Sequence, residues 1–248
     1  MPRFFVDASD VFMEGDDRLI RITGEDAHHI THVLRTRIGE ALTACDNGGT
    51  VYRTELAKAG EEVLLRVLEA SAADTEPPYI ATVYQALVKG DKMETVIQKA
   101  VETGASVIVP VATSRAVVKL DEKDARKKTE RWQKIAHEAA KQCGRGIVPK
   151  VEMPMTYKDA IRKAAEADLP LFCYEGEGTV PLTRICRNTD KPATIALFIG
   201  PEGGFADKEV SSAQTAGMQL CGLGKRILRT ETAAIFVLSC LSAEYELT

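Results

Sequence analysis

Through the first part of the chain, apolar and polar positions change places every one or two residues. RFFVD, RLIRIT, ALTACD, VYRTELAKA and EEVLLRVLEA are short, rich in β-branched or aromatic side chains and bounded by turn residues, so each predicts a strand. Asn47, Gly48 and Gly49 form the turn between the third and fourth, and Gly60 the turn before the fifth. One helix, over residues 25–35, interrupts them. Short strands with a single helix predict a small β-barrel over residues 1–71.

The segment AADTEPP, residues 72–78, reads as a linker, because two consecutive prolines favour extended backbone and stop both helix and central strand. Beyond it the rhythm changes. YIATVYQALV is strand-like. Met93, Val96, Ile97, Ala100 and Val101 then recur at the three- and four-residue spacings of one helical stripe. VIVPVA is a strand, and residues 122–143 form a long charged amphipathic helix. LPLFCYE, ATIALFIG and MQLCGL are further strands, separated by helices over 157–167 and 206–216. The closing segment ETAAIFVLSCLSAEYEL is apolar on nearly every side, which implies burial within the domain or in a subunit interface. Strands alternating with helices predict an α/β domain with a mostly parallel sheet over residues 79–248.

Composition narrows the function classes. With 45% hydrophobic and 27% charged residues the chain reads as an ordinary globular protein. No uncharged apolar span is long enough for a transmembrane helix. The opening MPRFFVDASDVF lacks the features of a secretory signal, so a cytoplasmic protein is expected. The six cysteines form no C-x-x-C pair and are expected as reduced thiols. Net charge is −4, which does not advertise nucleic-acid binding. Acidic residues outnumber basic ones in residues 1–72, whereas the balance reverses in residues 121–150. An RNA site would therefore be a local patch.

Four segments could carry chemistry. IGPEGGF, residues 199–205, follows a buried-type strand and precedes a helix, where α/β folds bind ligands. Gly200, Gly203 and Gly204 let backbone approach a ligand, although a tight strand–helix connection would also account for them. The Lys-Ser/Thr pair of a phosphate loop is missing and Glu202 would repel phosphate, which argues against a nucleotide-dependent phosphotransferase. A neutral or cationic ligand, such as a sulfonium, suits the acidic loop better. LGKRILRTETAA, residues 223–234, places Lys225, Arg226 and Arg229 in a loop before a helix, with Thr230 as the expected N-cap and Glu231 near the positive helix end. In RWQKIAHEAAKQCGRGIVP, residues 131–149, Arg131, Lys134, Lys141 and Arg145 could form a cationic face or simply a solvated one. In EDAHHITHVLRTRIGE, residues 25–40, His28 and His32 stand one turn apart. No third ligand is evident, so no metal is expected. His29, Arg35 and Arg37 could face an RNA backbone.

In order and spacing, these segments resemble one family. MPRFFV, HHITHVLRTRIGE, KGDKMETVIQKAVETG, SRAVVK, RWQKIAHEAAKQCGR, IGPEGGF and LGKRILRTETA are together similar to the bacterial methyltransferases that modify N3 of a uridine in 16S ribosomal RNA, members of the SPOUT class. The resemblance implies a PUA-like RNA-binding barrel followed by a trefoil-knotted α/β methyltransferase domain, working as a homodimer on 16S rRNA or the assembled small subunit. It implies S-adenosyl-L-methionine as cofactor, held largely by backbone. That role would fall on Ile199, Gly200, Pro201, Glu202 and Gly203, on Leu223, Gly224, Ile227 and Leu228, and on Thr232 and Ala233, with Phe172, Cys173 and Tyr174 as a third wall. For chemistry on an imide nitrogen, Arg229 and Arg226 are expected to polarise a uracil carbonyl, with Glu231 as candidate general base. RNA holding would fall to Arg3, Arg35, Lys89, Lys92, Arg115 and Arg145.

Overall fold

The computed structural model describes residues 3–247; Met1 and Pro2 of the MPRFFV segment lie outside them. The chain divides into two compact units. One comprises Met1–Glu76 with Ala140–Val148, the other Pro77–Ala139 with Pro149–Thr248.

The first unit is built on six strands: β1 (Arg3–Phe5), β2 (Val11–Glu14), β3 (Asp17–Ile22), β4 (Ala41–Cys45), β5 (Thr50–Lys58) and β6 (Val63–Ala72). They form one sheet in the order β1-β4-β5-β6-β3-β2, antiparallel except where β1 runs parallel to β4. Among the described residues β1 and β2 stand at the two ends of this order. Strand alternation puts Phe4, Ile20, Ile22, Leu42, Leu56 and Leu65 on one face, where they join Ala27 and Ile30 in a single core. The expected helix over 25–35 is shorter and irregular: α1 (Gly24–His28) runs on into a π-helical turn over His29–Val33, and Arg35 has a φ of +54°. The ring centroids of His28 and His32 lie 4.5 Å apart.

Residues 72–76 are not a free tether. Ala73 donates its N–H to the Gly49 carbonyl oxygen at 2.8 Å, Thr75 Oγ1 donates to the Gly144 carbonyl oxygen at 3.0 Å, and Glu76 is ion-paired with Arg145. A single boundary along the chain does not anticipate residues 140–148 returning to the first unit.

The second unit carries a parallel sheet. Its strands are β7 (Ile80–Ala86), β8 (Ala105–Ala112), β9 (Lys150–Val151), β10 (Met155–Thr156), β11 (Leu169–Cys173), β12 (Val180–Pro181), β13 (Thr194–Ile199) and β14 (Gln219–Gly222). Their order is β10-β8-β7-β13-β11-β14-β12, with β9 also on β8, and every pair is parallel. The helices are α2 (Lys92–Glu102), α3 (Glu122–Cys143), α4 (Tyr157–Ala164), α5 (Leu182–Arg187), α6 (Asp207–Thr215) and α7 (Thr230–Tyr245), the last turn of α3 clustering with the first unit. The apolar stripe of α2 is its buried face. Strands buried on both sides read as continuous apolar runs, and all five residues of β11 are buried. Phe172 and Phe198, at opposite positions on β11 and β13, stack with centroids 5.5 Å apart, and Phe205 closes over Phe172 at 4.2 Å. This aromatic cluster is the floor on which the site stands. α7 buries Ala233, Ala234, Val237, Leu238 and Leu241, while Phe236 stays 37% exposed. No helix among the described residues is long and apolar enough to cross a membrane.

Candidate active site

The carboxyl ends of β11, β13 and β14 lie side by side, and the chain leaving each one forms a wall of the same pocket of about 370 Å³. This is where a parallel sheet offers backbone groups to a ligand, and the volume suits a small organic molecule. From β11 come Cys173, Tyr174 and Glu175; from β13, Ile199, Gly200, Pro201, Glu202, Gly204 and Phe205; from β14, Gly222, Leu223, Gly224, Arg226, Ile227, Leu228 and Arg229. Thr230 and Ala233 at the start of α7, together with Thr179 and Lys92, complete it.

The glycines are there for space and for turn. A Cβ on Gly200 would stand 2.9 Å from the Phe205 ring, and one on Gly222 would stand 2.9 Å from Thr179 Oγ1. Gly224 has a φ of +105°, which lets the second loop turn away from β14. Glu209 anchors the far end of the first loop: its carboxylate accepts the N–H of Ala206 at 2.9 Å and of Ser114 at 2.8 Å.

Most of the residues singled out from the sequence meet at this pocket, but several do different work. Phe172 is fully buried beneath it and belongs to the aromatic floor. Gly203 and Thr232 do not line it; the Gly203 carbonyl oxygen accepts Arg115 Nη1 at 3.1 Å. Thr230 is not an N-cap. Arg229 holds that position with extended backbone, and Thr230 Oγ1 donates to the Gly200 carbonyl oxygen at 2.6 Å, joining the second loop to the first. Glu231 does not line the pocket either, and its Oε2 is buried with no hydrogen-bond partner among the described residues. Phe205 was read only as the last residue of IGPEGGF, and Glu175, Thr179 and Gly222 were not anticipated. Those three lie at or between strand ends, and none of them belongs to a motif.

The electrostatics also differ from expectation. Glu202 is not an open carboxylate for a cation: Lys92 Nζ lies 2.7 Å from its Oε1. Partial burial pushes the Glu202 carboxyl up, yet the Lys92 hydrogen bond and charge outweigh this and hold it below the usual range. Cys173 is hydrogen-bonded to Cys221 and buried, and both push its thiol well above the usual range, so it packs as a neutral wall. Lys225, Arg226 and Arg229 are exposed and have no carboxylate partner among the described residues. The mouth of the pocket is therefore cationic.

Of the residues expected to hold RNA, Arg35, Lys89 and Arg115 are exposed. Arg145 is not available for it. It is 4% exposed and paired with Glu76, whose Oε1 also accepts the N–H of Gly146 at 3.0 Å and of Ile147 at 3.2 Å. Arg3 is half-buried and donates to the Gly144 carbonyl oxygen, and Lys92 is the partner of Glu202.

The RNA methyltransferase domain family matches residues 75–242, and the RNA methyltransferase PUA domain family matches residues 22–68. The ribosomal RNA small subunit methyltransferase E of Bacillus subtilis is 36% identical, over 100% of this chain and 98% of that one. The chain belongs to the ribosomal RNA small subunit methyltransferase E family. Another member, from Synechocystis, is 34% identical over 92% of this chain and 74% of its own length. Among solved structures, a ribosomal RNA small subunit methyltransferase E from Neisseria gonorrhoeae bound to S-adenosyl methionine is 30% identical. It matches over 98% of this chain and 97% of that one, with a TM-score of 0.82.

Proposed function

We propose that this chain transfers a methyl group from S-adenosylmethionine to N3 of a uridine in 16S ribosomal RNA. It does so as a cytoplasmic homodimer whose second unit is a knotted SPOUT domain and whose first is a PUA-like RNA-binding domain. The observation that carries the reading is the convergence of three parallel strand ends on one backbone-lined pocket beneath a cationic mouth. The largely apolar side chains Ile199, Pro201, Leu223, Leu228 and Ala233, with the backbone around Gly200 and Gly224, fit a nucleoside attached to an amino-acid tail. Bound there, S-adenosylmethionine supplies an electrophilic methyl group on a positively charged sulfur.

What remains for the protein is to present the nucleophile. N3 lies on the pairing edge of uracil, so the base must be unpaired or flipped out to reach the pocket. Its imide proton must leave, to solvent water at the exposed mouth, and negative charge then spreads onto the flanking carbonyl oxygens. Arg229, with Arg226 beside it in the loop, is a lining residue with no carboxylate partner among the described residues, and its guanidinium stabilises that charge. Glu231, one turn-start residue behind the wall, serves the positive end of α7 rather than the imide.

The test is direct. Purified chain with labelled donor and small subunits lacking the modification should yield labelled 3-methyluridine on nucleoside mass spectrometry. A different labelled nucleoside would overturn the choice of atom, and donor binding without transfer would make the chain an RNA-binding assembly factor. RNA holding has its own test. Replacing Arg35, Lys89 and Arg115 together with alanine should lower the slope of log affinity against log salt by about two, three phosphate contacts being lost. An unchanged slope would remove them from the interface.

A further inference from the structure

Gln85, the penultimate residue of β7, is fully buried and belongs to none of the motifs. Its Nε2 donates to Thr230 Oγ1 at 2.8 Å and to the Ala86 carbonyl oxygen at 3.1 Å. Thr230 Oγ1 in turn donates to the Gly200 carbonyl oxygen at 2.6 Å. A carbonyl oxygen only accepts, so the single hydroxyl proton of Thr230 is committed to Gly200. The lone pairs of that hydroxyl therefore face Gln85, which must answer with its amino group. The Ala86 carbonyl oxygen demands the same orientation. The two carbonyl oxygens thus fix the direction of every hydrogen bond in the relay, and the Gln85 amide is the donor that fits it.

The amide keeps this orientation at a cost. Its Oε1 is buried with no hydrogen-bond partner among the described residues. An apolar side chain of similar shape would remove that defect, but it would also leave Thr230 free to turn away from Gly200. Three elements meet in the relay: the end of β7, the first residue after β13 and the first residue of α7. Gly200 and Thr230 both line the pocket, Gln85 does not, and Arg229 is the residue before Thr230.

We propose that Gln85 is a positioning residue of the donor pocket. Acting through Thr230, it holds the loop that opens at Gly200 against the start of α7, and so sets both the width of the pocket and the place of Arg229. The inference rests on reading the pocket as the site for S-adenosylmethionine.

Calorimetric titration of the full chain with S-adenosylmethionine tests it through a double-mutant cycle. Gln85→Met and Thr230→Val should each weaken donor binding by about tenfold, the scale of one lost buried hydrogen bond. The double variant should be no weaker than either single one, because each substitution breaks the same relay. Thr230→Ser, which restores the hydroxyl, should recover most of the loss. At saturating donor, the single-turnover methylation rate of Gln85→Met should also fall, since Arg229 is displaced. Losses that multiply in the double variant, or wild-type affinity in Gln85→Met, would overturn the relay. Should Gln85→Met not fold, Gln85→Ala takes its place in the cycle: wild-type affinity there would overturn the relay, and a loss that adding Thr230→Val does not deepen would uphold it. A wild-type chain that binds no donor would instead overturn the reading of the pocket itself.

Discussion

Arg229→Ala should slow methyl transfer by about 10²–10³-fold while leaving donor affinity within a few-fold, the loss found when one preorganised donor to a developing negative charge is removed. The expectation follows from what Arg229 does not do. Its backbone occupies the N-cap position of α7, but its side chain makes no cap hydrogen bond, and no carboxylate is paired with it among the described residues. Truncating it should therefore leave the melting temperature nearly unchanged. Arg229 is one of the residues that line the pocket, so the loss of its side chain should be felt once uracil charge develops. Arg229→Lys, which keeps the charge but loses the planar fork, should fall between the wild type and alanine. Arg226→Ala should lose less, because Arg226 sits three residues further from the start of α7. Single-turnover rates at saturating donor, read beside donor affinities, check this. A near-normal rate in Arg229→Ala would take it out of the chemistry, and an equal loss of donor binding would make it a ligand-holding residue instead.

The fold was largely legible because its pattern is local. The α2 stripe needs only the repeat of Met93, Val96, Ile97, Ala100 and Val101, and each of the five is buried. β11 and β13 announce themselves as uninterrupted apolar runs, since helices cover both faces of a parallel sheet. The glycine loops were legible for a similar reason: a Gly-rich turn after a buried strand is a short-range feature, and Gly200 and Gly224 are placed where a side chain would collide or strain. What could not be read is pairing across long separations. Lys92 and Glu202 are 110 residues apart, and together they cancel the acidic loop that had suggested a cation site. Thr230 sits where an N-cap belongs, yet its hydroxyl is taken by Gly200, 30 residues earlier. The unit boundary fails in the same way. Periodicity shows α3 as one helix, whereas its end is held in the first unit by Asp26, through Lys141, and the residues after it by Glu76 and Asn47.

Arg145 is the sharpest case, and its substitution should have the second large effect. From the sequence it is a cation after a basic helix, suited to a phosphate. In the fold its side chain is 5% exposed, against a Glu76 side chain that is 18% exposed, and that carboxylate also gathers the N–H groups of Gly146 and Ile147. Removing one partner of a buried pair leaves the other charge uncompensated, which costs about 3–5 kcal/mol. Arg145→Met should therefore lower the melting temperature by on the order of 10 °C for a chain of this size. Glu76→Gln should lower it less, because an amide still offers an oxygen to Gly146 and Ile147. The double variant Arg145→Met with Glu76→Leu should recover part of the loss, since no charge is then stranded, although the two backbone N–H groups remain unanswered. RNA binding separates the structural role from the one expected of a surface arginine. Well below its unfolding temperature, Arg145→Met should bind RNA with an unchanged salt slope, whereas the triple substitution of Arg35, Lys89 and Arg115 should not. An Arg145→Met chain that melts like the wild type but loses salt-dependent affinity would return this residue to the RNA surface, and with it the segment from Ala140 to Val148.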